Sequence, residues 1–143
     1  MAIVALDDDI IFFPPVNNTE EDGLLAIGGT LTTERLLAAY KKGIFPWYDG
    51  QIPLWWCPNP RFVLYPNKLV VSKSMQQVIK KHTFSFTTNQ AFKQVINCCK
   101  TTKRKEQDGT WITDAVEAAY TELHQLGYCI SAEAWQNGIL VGG

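Results

Sequence analysis

Apolar side chains recur at helical spacing in four stretches of the chain and alternate with polar ones in two others. In the first helical stretch Leu36, Leu37 and Tyr40 share a face. Thr32 is placed to cap it, Glu34 and the pair Lys41 and Lys42 match the helix dipole, and Gly43 supplies the left-handed residue that ends it. Ser72 caps a second helix with Met75, Val78 and Ile79 on one side. Asn89 caps a third, with Phe92, Val95, Ile96 and Cys99 at i, i+3, i+4 and i+7, and both faces are expected in the core. Thr113 caps the fourth, in which Val116, Tyr120 and Leu123 are in register ahead of Gly127.

The alternating stretches, Phe84 to Thr88 and Tyr128 to Gln136, read as strands. Asn137-Gly138 is the preferred two-residue hairpin turn, because both central positions need positive φ, and Ile139-Leu140-Val141 starts the returning strand. Near the N-terminus, Ile3 to Leu6 and Ile10 to Phe13 flank Asp7, Asp8 and Asp9 and are expected to pair as a hairpin, which Pro14 and Pro15 stop. Lys100 to Asp108 is expected to form a solvated loop. The fold class is α+β. Composition shifts near Arg61, which divides the chain into a small aromatic-rich N-terminal domain, 1–61, and a second domain, 62–143. A returning strand that stops at Gly142-Gly143 is short for its partner, so the chain reads as interrupted, a fragment or frameshifted product.

At 143 residues and 46% hydrophobic content the chain is long enough to bury a core without metals or cross-links. Its apolar runs fall short of the ~20 residues a bilayer-spanning helix needs, and Asp7 to Asp9 stand where a secretion signal would be basic. Cys57, Cys98, Cys99 and Cys129 form no C-x-x-C pair, so neither a zinc site nor a disulfide framework is expected, and a reducing cytoplasm fits. With 13 Lys+Arg against 14 Asp+Glu, contact with RNA has to come from a local patch.

No G-x-S-x-G elbow, H-E-x-x-H pair or P-loop lysine is present. His124 sits mid-helix and reads as a surface or boundary residue. His82 ends a lysine-bearing helix, where a positive imidazole suits the dipole and can face phosphate. Glu133, alternating with Ser131 and Trp135, reads as a solvent-facing strand carboxylate, with an acid/base role as the sharper alternative. The distinctive feature is Gly43-Ile-Phe-Pro-Trp-Tyr48 followed by Leu54-Trp-Trp-Cys-Pro-Asn-Pro-Arg61. Proline fixes φ, so Phe45, Trp47, Trp55 and Trp56 can stand as rigid walls of an apolar pocket. For Trp55 and Trp56 a small aromatic core is an equal reading; for Trp47, in a helix-exit loop, the pocket is favoured.

Asp22-Gly-Leu-Leu-Ala-Ile-Gly-Gly29, Glu34-Arg-Leu-Leu-Ala-Ala-Tyr40, Gly43-Ile-Phe-Pro-Trp47, Leu54-Trp-Trp56, Pro58-Asn-Pro-Arg61, Gly109-Thr-Trp-Ile112 and Leu140-Val-Gly-Gly143 follow one another in order. Together they resemble the leucyl/phenylalanyl-tRNA–protein transferases, from about Phe13 to the last residue. The resemblance implies an aminoacyltransferase that moves Leu, Phe or Met from aminoacyl-tRNA to the N-terminal Arg or Lys of an acceptor protein, marking it for degradation by the bacterial N-degron route. It also implies that the second domain is the first part of a GNAT-like (acyl-CoA N-acyltransferase-like) fold and that no metal, coenzyme A or other cofactor takes part; the cysteine pattern and short apolar runs above make the expected location cytoplasmic, with no membrane partner.

Residue by residue, Tyr40, Trp47 and Trp111 match family positions lining the hydrophobic pocket for the donor side chain and terminal adenosine. Lys73, Lys80 and Lys81 match basic positions on a tRNA-contacting helix. Lys73 and Lys80 are two turns apart and so lie on nearly one side, although an ordinary solvated face has the same look. Gln76 and Gln77 stand where relatives often carry basic residues, which weakens the patch. Lys100, Lys103, Arg104 and Lys105 form a further basic run offset by Glu106 and Asp108. The resemblance places the groups that deprotonate the attacking amine beyond residue 143, so it names no catalytic residue here and leaves activity of the chain alone in question. The rival readings are a non-catalytic aromatic module binding a nucleotide, peptide or sugar, and a coenzyme A acyltransferase sharing only the fold.

Overall fold

The computed structural model describes residues 3–102 and 110–143; Lys103, Arg104, Lys105, Glu106 and Asp108 lie outside the described residues. Among the described residues the fold mixes helices with two antiparallel-rich sheets. The first sheet takes β1 (Val4–Leu6), β2 (Leu24–Gly28), β3 (Phe45–Pro46) and β4 (Leu54–Trp56) in the order β1-β2-β4-β3. The second takes β5 (Ser85–Thr88), β6 (Ala132–Gln136) and β7 (Ile139–Gly142) in chain order. Among the described residues four α-helices accompany them: α1 (Thr33–Lys41), α2 (Lys73–Lys80), α3 (Phe92–Thr101) and α4 (Asp114–Gln125).

The expected hairpin between Ile3 to Leu6 and Ile10 to Phe13 does not form. β1 instead pairs in parallel with β2, Val4 opposite Ala26 and Leu6 opposite Gly28. The acidic triplet causes the difference. The Asp7 carboxylate accepts from the backbone N–H of Asp9 (2.8 Å) and Ile10 (3.1 Å), turning the chain away, and the buried Arg35 guanidinium donates to the carbonyls of Asp7 (2.7 Å) and Asp8 (2.9 Å). Gly29, at φ +73°, lets that guanidinium lie against the backbone; a Cβ there would come within 2.8 Å of Arg35 Nη1.

α1 is capped as expected, Thr32 Oγ1 accepting from Arg35 N at 3.3 Å. Its buried face is Arg35, Leu36 and Ala39, with Leu37 half-buried and Tyr40 on the open side. α2 is capped by Ser72, but none of its residues is buried: Met75 is 52% exposed and Ile79 53%, contrary to the core expected of that face. Periodicity specifies a face able to be buried, not a layer to bury it. α3 does bury Phe92 and Ile96, although Asn89 is not its cap. Asn89 adopts φ +59° and exchanges hydrogen bonds with Ser131, donating its N–H to Ser131 O and accepting at Oδ1 from Ser131 N, both at 3.1 Å. Lys100 lies in the last turn of α3 and pairs with Asp114 and Glu117 of α4, so the solvated-loop expectation fails at that residue.

α4 is central to the packing. Val116 joins Tyr48, Phe92, Ile96 and Ile112 in one apolar cluster, whereas Ala119 and Leu123 join Phe13, Leu25, Leu36, Ile44 and Trp55 in the other. One helical stripe at i, i+3 and i+7 thus serves both sides of residue 61. Beyond Gly127 the strand starts later than expected: β6 begins at Ala132, because Tyr128 N is still held by Leu123 O and the Cys129 carbonyl contacts His124 Nδ1. The Asn137-Gly138 turn has φ of +52° and +76°, and β7 returns along β6 as predicted. Among the described residues no helix is long and apolar enough to cross a membrane.

A candidate aromatic binding pocket

The pocket starts where α1 stops. Lys42 N and Ile44 N both bond to Ala39 O, Gly43 N bonds to Tyr40 O, and Gly43 takes φ +73°, which only a residue without Cβ adopts without strain. The fully buried Ile44 then anchors the chain, and β3 runs antiparallel to β4 with Phe45 opposite Trp56 and Pro46 opposite Trp55. Trp47 N donates to Leu54 O at 3.0 Å, closing that ladder. Trp56 Nε1 donates to Trp47 O at 2.6 Å, and the two indoles sit 5.7 Å apart at 60°. The Trp47 backbone is therefore held at both its polar groups while the residue stays 51% exposed.

Trp111 approaches from the other part of the chain. Ile112 beside it is buried, Thr113 N donates to Trp111 O at 3.0 Å, and the indole meets Tyr120 edge-on at 6.1 Å. Tyr40, Trp47 and Trp111 line one open pocket of about 510 Å³ with Gly43, Ile44, Phe45, Pro46 and Arg61. The α1-exit residues Tyr40 and Trp47 and the distant Trp111 are thus brought to one cavity. Trp55 is not a wall: it is fully buried, donates from Nε1 to Gly28 O at 2.8 Å and packs edge-on against Phe13, which decides the open reading in favour of core.

The pocket holds no ionised tyrosine near neutral pH. The Tyr40 and Tyr120 hydroxyls hydrogen-bond each other, and burial raises the pKa of both phenols above its ordinary value. They act as neutral polar groups. Arg61, to which no role is assigned from sequence, also lines the pocket: Nη2 donates to Gly43 O at 2.5 Å and the guanidinium lies 5.3 Å from the Phe45 ring centre. A cation ending an aromatic, proline-rich segment was the available signal.

Lys73, Lys80 and Lys81 are exposed on α2 and its C-terminal cap, and among the described residues none is ion-paired. They are not part of the aromatic pocket. His82 follows them at φ +49°, also exposed. His124 is half-buried, stacked on Phe92 with ring centres 4.1 Å apart.

Glu133 corrects the sequence reading. Only 1% exposed, it accepts from Ser131 Oγ (2.5 Å), Thr87 Oγ1 (2.5 Å) and Ala91 N (3.2 Å). Those hydrogen bonds, led by Ser131, hold its carboxyl below the usual range. It turns inward because Thr87 stands directly opposite on β5 and the uncapped start of α3 lies next to it. A carboxylate at that position takes over the capping that Asn89 does not perform. Trp135 Nε1 donates to Thr87 Oγ1 at 2.8 Å, so the network continues along the strand pair.

Comparison with known proteins agrees over both parts of the chain. The family described as leucyl/phenylalanyl-tRNA protein transferase matches residues 63–143, and its N-terminal domain matches residues 29–59. Proteins named leucyl/phenylalanyl-tRNA–protein transferase are 51% identical in Lawsonia intracellularis (97% of this chain, 61% of the relative) and 50% in Syntrophus aciditrophicus (94% and 56%). One from Flavobacterium johnsoniae is 52% identical over 93% of this chain and 63% of its own length. The chain spans about three fifths of the length of these curated relatives. With its second part and its aromatic pocket segment both matched, this chain belongs to the leucyl/phenylalanyl-tRNA protein transferase family.

Proposed function

We propose that the protein is an aminoacyltransferase whose aromatic pocket takes the donor amino-acid side chain, Leu, Phe or Met, together with the terminal adenosine of the aminoacyl-tRNA. The observation that carries this reading is the convergence of Tyr40, Trp47 and Trp111 on one open cavity. Indole and phenol faces offer broad apolar area at little entropic cost, which suits a flat base and an unbranched or γ-branched side chain. Selection among side chains is graded, because each methylene contributes only about 1–3 kcal/mol of discrimination.

The acceptor's α-amine, on an N-terminal Arg or Lys, attacks the ester carbonyl carbon. The C–N bond forms, the bond to the ribose oxygen breaks, and that oxygen takes the proton the amine loses. The ester is already activated, so positioning of the two reactants supplies much of the rate. The pocket residues fix the donor; Tyr40 and Tyr120, as neutral phenols, orient without removing a proton. Lys73, Lys80 and Lys81 meet tRNA phosphates, a role consistent with their exposure and lack of ion pairs among the described residues.

In this reading residues 1–61 make a small N-terminal domain and 62–143 the first part of a GNAT-like domain, acting in the cytoplasm in N-degron protein degradation. The test is binding of leucyl-tRNA against the same tRNA uncharged. The reading expects a preference for the charged form that Trp47→Ala removes. Equal binding of both forms by the unaltered protein would contradict it.

A further inference from the structure

Among the described residues Arg61 is the one charged residue lining the aromatic pocket. Its side chain is exposed, and no ion pair is found for it among the described residues. One arm is committed: Nη2 donates to the Gly43 carbonyl, and the guanidinium plane is held 5.3 Å from the Phe45 ring centre. A guanidinium has five N–H donors in a fixed fork, so two fixed contacts leave the remaining donors oriented and unused. A held, uncompensated cation beside rings selects a ligand with a flat apolar body and a single anionic group.

We propose that Arg61 binds the phosphate on the 5′ side of the terminal adenosine, so that the pocket recognises an aminoacyl nucleotide and not merely an aminoacyl nucleoside. This rests on the pocket reading proposed above and adds to it the anion that the rings cannot hold. Phosphate is the fitting anion because the aminoacyl ester leaves no free carboxylate on the donor, while every nucleotide linkage carries one negative charge. The Gly43 contact gives the residue a second consequence: the cation is fixed to the turn that starts the pocket and sits at a set distance from the aromatic walls.

The experiment compares two non-hydrolysable probes, an amide-linked phenylalanyl-adenosine and the same molecule with a 5′-phosphate, by titration calorimetry at two salt concentrations. The expected result is that the phosphate tightens binding to the unaltered protein roughly threefold to tenfold, less at high salt. Arg61→Gln removes the charge and keeps a polar amide; it is expected to bind both probes as the unaltered protein binds the nucleoside alone. Arg61→Lys, with a single point charge, recovers part of the gain. Inorganic phosphate alone is expected to compete with the phosphorylated probe only. Absence of a phosphate gain in the unaltered protein, or a gain that persists in Arg61→Gln, would overturn the assignment. Failure of the nucleoside probe to bind at all would instead remove the pocket reading beneath it.

Discussion

The Tyr40 hydroxyl at the end of α1 is hydrogen-bonded to the Tyr120 hydroxyl in the middle of α4, joining residues 80 positions apart at the edge of the aromatic pocket. Burial raises the pKa of both phenols. In the unfolded chain a tyrosine titrates near pH 10. Above that pH the unfolded state loses protons that the folded state retains, so stability is full below about pH 10 and falls as pH rises past it. Urea unfolding of the unaltered protein is expected to show this alkaline loss. The double variant Tyr40→Phe, Tyr120→Phe is expected to show less of it, and Tyr40→Phe alone to cost about 1 kcal/mol at neutral pH by leaving Tyr120 unpaired.

Glu133 sets the opposite limb. Its carboxyl titrates below its unfolded value of about 4.5, so its contribution is present above that pH and is lost as pH falls through the folded value. Glu133→Gln is expected to lower the melting temperature at pH 7 and to flatten the acid side of the stability profile. Thermal melts from pH 7 to pH 3 on both proteins measure this. Parallel profiles would mean that the Ser131, Thr87 and Ala91 bonds do not tune the carboxylate.

The indoles divide by burial. Trp55, fully enclosed and bonded to Gly28 O, is expected to cost about 3–5 kcal/mol when replaced by alanine. Trp47, half exposed, is expected to leave stability within about 1 kcal/mol on the same replacement. Trp47→Ala and Trp111→Ala are each expected to reduce leucine transfer more than tRNA affinity, where transfer is measured in a protein spanning the family's full length. Filter binding and radiolabel transfer, run on the same preparations, separate the two effects.

For the α2 lysines, the double variant Lys80→Ala, Lys81→Ala is expected to weaken tRNA binding across sequences and to reduce the slope of log affinity against log salt by about 0.7–0.9 per lost phosphate contact. An unchanged slope would assign the lysines to an ordinary solvated helix face.

Sequence reasoning carried the local grammar further than the packing. Thr32, Ser72 and Thr113 cap the helices they were expected to cap, and Asn137-Gly138 makes its turn, because each depends on a few adjacent residues. Errors arose where distant groups compete. Asn89 could cap α3, but the buried Glu133 carboxylate reaches that N-terminus from β6 and Asn89 pairs with Ser131 instead. Ile3 to Leu6 had an apolar neighbour at Ile10, yet Arg35, far along the chain, claims the carbonyls between them and β2 offers the better edge. Met75 and Ile79 have a core pattern without a layer to cover them. The pocket was partly legible because Pro46 and Gly43 constrain the segment that carries Trp47. Arg61 was not, because nothing local states that its side chain folds back to Gly43.

The most direct test is a titration of the amide-linked phenylalanyl-adenosine into protein with isotope-labelled indoles, followed by NMR. The account predicts that the Nε1–H resonances of Trp47 and Trp111 move together with one dissociation constant, while that of Trp55, enclosed and bonded to Gly28 O, stays in place. Saturable shifts elsewhere with Trp47 and Trp111 unmoved would contradict it.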